Sequence, residues 1–162
     1  MSVRTMKVVF VAWIALLCLL YAVQNVVNLE ACYQAFAYVM GAVDHQVYTE
    51  LAVPAVQSPA LIWLALVAVI GLEFLAGALA ARGAWDMWKT RTAPAAEFNG
   101  AKKFALLGCG TGIIVWLGLF AVLGGALFAM WQTEVGRGSL ENAFQFFGSC
   151  ALVFLIVNSR DD

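Results

Sequence analysis

The chain has one histidine and three prolines in 162 residues, and only 12% of its residues carry charge. With His45 alone, a haem held by two histidines of one subunit is excluded, as is a zinc site of the HExxH kind. The four cysteines, Cys18, Cys32, Cys109 and Cys150, form no CxxC pair, so neither a disulfide framework nor a thiol-rich zinc site is implied. Three of them fall inside apolar runs, where a reduced thiol behaves as a small hydrophobe. The formal net charge is −1, and no Lys/Arg run interleaves with aromatics, which argues against nucleic acid as a partner.

What the chain has instead is apolar surface. At 64% hydrophobic residues and a mean hydropathy of +0.87, a soluble fold would have nowhere to bury it. Four runs are long enough to cross a bilayer, and the expected fold is all-α: an integral membrane four-helix bundle in one transmembrane domain, 1–162. The first run, about 7–27, leads into Tyr21, Ala22, Val23, Gln24 and Asn25 rather than a small-residue cleavage site, so it reads as an uncleaved span. The others lie at about 59–81, 104–131 and 140–158, with Ser58 and Ser139 as expected N-caps.

Between the first two spans, Leu29, Cys32, Tyr33, Phe36, Val39 and Met40 recur at helical spacing behind Asn28, which predicts a short interfacial helix over 29–40 in the first outer loop. Residues 42–57 then read as a loop, and 83–103, with Trp85, Trp88, Lys89, Arg91, Pro94, Lys102 and Lys103, as the one substantial inner loop. If the N-terminus is cytoplasmic, eight of the nine Lys and Arg side chains lie inside and only Arg137 lies outside. Both termini are therefore expected on the cytoplasmic side. No internal repeat supports an inverted-repeat transporter.

Glu73 is the one acid within the second span, nine residues before Arg82 and so ~13 Å inside that end. A carboxylate at such depth costs about 2.5–3.5 kcal/mol on insertion scales, so it is expected to be protonated, paired or facing water. Ala76, Gly77 and Ala80 share its face, and small residues admit a neighbouring helix, which points Glu73 into the bundle. No cation lies at the same depth; the expectation is a neutral Glu73 hydrogen-bonded to Thr111 or Ser149.

Further polar residues share faces with these. Tyr21, Gln24 and Asn28 recur on one side of the first span, and Asn142, Gln145 and Ser149 on one side of the fourth. With Glu73 and Thr111 they outline a polar track; the plainer alternative is that the amides tie the first and fourth helices together. In the third span Gly108 and Gly112 form a GxxxG, and Gly118 and Gly125 continue a stripe suited to close packing. GCGTG is not preceded by a strand or followed by lysine, so a phosphate loop is not supported. His45 with Asp44 and Glu50 is a loose set, better read as a solvated or loop-anchoring histidine than as a metal site. The tryptophans sit near span ends as an aromatic belt, except Trp116, expected to face lipid or a partner.

The phrases QNVVNLEACYQAFAYVM, SPALIWLALVAVIGLEFLAGALAARGAWDMW and FAMWQTEVGRGSLENAFQFFGSCALVF resemble a bacterial family of predicted small integral membrane proteins of unknown function. The resemblance covers nearly the whole chain and implies a location in the bacterial inner membrane, without an activity or a cofactor. The residues point to a non-enzymatic accessory or scaffold subunit that packs against a larger membrane protein complex or itself as a homo-oligomer. A small transporter or channel using Glu73 is the alternative.

Overall fold

The computed structural model describes residues 2–162. The fold is all-α: α1 (Val3–Val27), α2 (Leu29–Met40), α3 (Pro59–Thr90), α4 (Ala95–Ala101), α5 (Lys103–Ile113), a π-helix (Ile114–Leu127), a short 3₁₀ turn (Met130–Gln132) and α6 (Glu134–Asn158). α1, α3, the run Ala95–Leu127 and α6 are each long and apolar enough to cross a membrane, and they form a bundle with α2 as the short extra helix.

The helices outrun the apolar runs that predict them. α1 opens at Ser2, whose hydroxyl accepts from the Thr5 backbone N–H. It is interrupted at Asn28, whose side chain does not cap α2 but turns back to donate to the Gln24 carbonyl at 2.8 Å. Backbone bonding continues across the break, from Asn28 N–H to Gln24 and from Cys32 N–H to Asn28. α3 does not stop at Arg82 but runs on to Thr90, helped by Asp86 accepting from Arg82 one turn away at 2.7 Å. The inner loop of the sequence reading is thus the last turns of α3 followed by α4. α6 begins at Glu134, five residues ahead of Ser139; its cap is Thr133, whose hydroxyl accepts from the Gly136 N–H.

α1 and α2 together run antiparallel to α3. Leu19 lies against Gly77, Asn25 against Glu73, and the Tyr33 ring stacks on Trp63 at 4.9 Å. Beyond α2, Met40 C=O accepts from Val56 N–H at 2.8 Å, closing the hairpin. α2 therefore packs along the first half of α3. α3 and α5 approach through missing side chains: a Cβ on Gly83 would lie 2.1 Å from Ala105 N, and one on Gly108 would lie 2.5 Å from Ala80 N. α6 closes the bundle, with Cys150 against Gly112 and Phe146 edge-on to Trp116 at 5.3 Å. Trp116 is consequently 2% exposed, a core residue and not the outward-facing one expected.

Both termini lie at one end of the bundle. There Asp161 Oδ2 accepts from Lys7 Nζ at 2.7 Å and Lys102 Nζ at 2.5 Å, and Ser159 C=O accepts from both lysines. Asn99 bonds the Asp161 backbone on both sides, and Arg4 donates to the carbonyls of Ala93 and Asp162. These bonds tie α1, α4, the start of α5 and the tail into one buried ionic knot. Burial by itself would raise the Asp161 carboxyl, but the bonds from Lys102 and Lys7 outweigh it and hold the carboxyl below the usual carboxylate range.

Candidate intramembrane polar site

Glu73 is 1% exposed and sits on the inner face of α3, between Val69 and Ile70 on one side and Ala76, Gly77 and Ala80 on the other. At Gly77 the backbone of α1 comes so close that an added Cβ would lie 2.5 Å from Leu19 Cγ. That approach brings Asn25, nearly two turns along α1, level with Glu73. Asn25 Nδ2 donates to Glu73 Oε2 at 2.8 Å, and Cys32 Sγ lies 3.6 Å from Asn25 Oδ1, to which it donates. The site is a thiol, an amide and a carboxyl in series, supplied by α2, α1 and α3.

The other residues of the expected track are elsewhere. Thr111 donates to its own helix at Leu107 C=O, 2.9 Å, and Ser149 to Gln145 C=O, 2.8 Å, so neither is the partner of Glu73. Tyr21 is exposed on α1 with its ring centroid 4.5 Å from that of Phe146, and Gln24 and Asn28 are exposed and bonded to each other. Asn142, Gln145 and Ser149 are exposed on α6. The structure brings Glu73 together with Asn25 and Cys32, leaves Thr111 bonded within α5, and leaves the remaining polar residues on the outside of α1 and α6.

Asn25 and Cys32 are not part of the polar track read from the sequence because Asn25 follows Gln24 directly and is masked by the more regular series Tyr21, Gln24, Asn28, and Cys32 reads as one of the apolar positions of the 29–40 helix. Their signal was spacing: Cys18, Ala22, Asn25, Cys32 and Val39 recur at three, four and seven residues, and this is the face α1 and α2 turn inward.

Of the glycines in the third span, Gly108 and Gly112 meet α3 and α6, and Gly125 meets Leu140 of α6 at 3.1 Å. Gly118 meets only Ile114 of its own helix, at 4.0 Å. Cys18, Cys109 and Cys150, all free and fully buried, reach the core from α1, α5 and α6. Among the described residues no group of three or more His, Cys, Asp and Glu is placed to hold a metal ion. Asp44 accepts from the Tyr38 hydroxyl at 2.6 Å, and both ring nitrogens of His45 are buried with no hydrogen-bond partner, so His45 is neither solvated nor anchoring the loop by its ring nitrogens.

One buried carboxyl held by one amide can store a proton or position a neighbour. It lacks the nucleophile–base pair that group transfer needs. No curated protein and no solved structure matches the chain. Residues 3–160 match the model of a family described as predicted small integral membrane protein (DUF2165), and the chain, with its four membrane-length helices packed around Glu73, belongs to that family.

Proposed function

We propose that the protein is a non-enzymatic accessory or scaffold subunit of the bacterial inner membrane, with both termini cytoplasmic, and that it packs against a larger membrane protein. The observation that carries this reading is the outer face of α6 and α1. Asn142, Gln145 and Ser149 are exposed beside Gly138 and Gly148, where an added Cβ would meet nothing within 4 Å, and Tyr21, Gln24 and Asn28 are exposed on α1. Lipid offers side-chain amides no hydrogen-bond partner, whereas another helix offers one worth about 0.6–2 kcal/mol per bond, and small residues let it approach.

Native purification in mild detergent followed by mass spectrometry tests this. A stoichiometric partner that is lost in Asn142→Leu with Gln145→Leu supports the reading; a chain that stays alone, or a homo-oligomer indifferent to both substitutions, overturns it.

A second reading, a small transporter or channel, draws on the Cys32–Asn25–Glu73 series, which leads from α2 to a carboxyl inside the bundle. It is the weaker of the two because Thr111 and Ser149 spend their hydroxyls on their own helices and do not extend the series. Proton or solute flux in vesicles that is abolished by Glu73→Gln would favour it.

A further inference from the structure

At the end of the bundle away from the termini, α2, α3, the π-helix and α6 diverge around a part-open cavity of about 250 Å³. Phe36 and Val39 of α2, Val69 of α3, and Leu123 and Gly124 of the π-helix form its walls; Ser139 of α6 is the one polar side chain among them. We propose that this cavity is a binding site for one acyl chain of a bilayer phospholipid, taken from the leaflet opposite the termini.

The backbone around the cavity departs from ordinary helix. The π-helix runs for 14 residues, whereas such helices are usually single turns and recur at functional sites. Its wide turn persists to the end, where Phe128 N–H bonds Leu123 C=O, and the chain then leaves through Ala129 in the left-handed region at φ 48°. Ala35, Ala65 and Ala68 also line the space, at positions where a larger apolar side chain would fill it. An empty void loses dispersion contacts in proportion to its size, so a cavity kept open by an uncommon helix and three alanines implies an occupant.

The chemistry of the walls selects that occupant. Water needs two to four polar partners, and the one hydroxyl available, Ser139, already donates to Val135 C=O at 2.9 Å. A further helix, with a diameter of about 10 Å, is too wide. A flexible hydrocarbon chain fits, and in the bilayer it is the abundant apolar solute at that depth. Arg137, exposed on α6 in the same turn as Val135 and Ser139, is the one Lys or Arg at this end among the described residues and supplies a cation at the level of a phosphate group. This inference is independent of the accessory reading, since it concerns the inside of the bundle and not its outer face.

The protein in nanodiscs of phosphatidylethanolamine and phosphatidylglycerol, doped with phosphatidylethanolamine carrying a diazirine in one acyl chain, is irradiated and its peptides analysed by mass spectrometry. Adducts on Phe36, Val39 and Val69 are expected to exceed those on the exposed Leu64 and Leu152. Ala65→Phe fills the cavity from α3 and Ala35→Phe fills it from α2; at least one that retains the wild-type elution profile should lose the cavity adducts and keep those on Leu64 and Leu152. Labelling that merely follows exposure, cavity adducts that persist in the folded filled variants, or a co-purifying isoprenoid that shields the cavity from the label would each overturn the proposal.

Discussion

Asn25 Nδ2 donates to Glu73 Oε2 at 2.8 Å, and that bond joins the C-terminal part of α1 to the middle of α3 across a separation of 48 residues. It provides a hydrogen-bond donor to an acid that is otherwise enclosed by apolar side chains.

Replacing Asn25 by leucine removes the donor and leaves a buried oxygen unsatisfied, which is expected to cost about 1–3 kcal/mol. Adding Glu73→Leu should recover much of that loss, because both ends of the bond are then apolar. Unfolding of Asn25→Leu, Glu73→Leu and the double variant in detergent measures the coupling; losses that simply add would show that the bond contributes nothing.

The ionic knot at the terminal end is pH-dependent with a definite sign. The Asp161 carboxyl lies below its ordinary value of about 3.9, so its stabilisation is fully present above that value and is lost as pH falls through the lower folded one. Proteolysis of the tail near Ser159 should rise on acidification below about pH 4. In Asp161→Asn the tail should be open already at neutral pH.

The same substitution leaves Lys7 and Lys102, whose side chains are each 4% exposed, without their acid. Breaking a buried pair costs about 3–5 kcal/mol when nothing relaxes; release of the tail lets both lysines reach water, so the expected loss is about 1–3 kcal/mol. Thermal unfolding checks it, and a variant as stable as the parent would show that the knot carries no energetic weight.

Gly83→Val should separate α3 from α5, since its Cβ would fall 2.1 Å from Ala105 N, at a cost of 1–3 kcal/mol or about that. Gly71→Ala, where nothing lies within 4 Å, should change stability by less than about 0.5 kcal/mol. Similar melting temperatures for the two variants would show that the α3–α5 seam is not the tight one.

Asn142→Leu and Gln145→Leu lie on an exposed face and should each change the stability of the isolated chain by less than about 0.5 kcal/mol in thermal unfolding. A large loss would mean that these amides hold the bundle together, as the plainer sequence reading supposed.

The sequence by itself determined the number of membrane-length helices and the inward face of α3 around Glu73. Apolar run length and a 3.6-residue period are properties of one helix at a time, and each of these follows from a single helix. Which helix meets which face is a property of pairs. Only the tertiary structure decided that Asn25 and not Thr111 or Ser149 reaches Glu73, that Trp116 is core, and that cysteines from three helices share one buried core. Only it could place Asp161 between Lys7 and Lys102, residues 154 and 59 positions away. The π-helix lay outside the sequence signal for a related reason: Gly124 and Gly125 admit Met130 of the 3₁₀ turn and Leu140 of α6, contacts between elements, and the apolar run Ile114–Leu127 by itself is equally compatible with an α-helix.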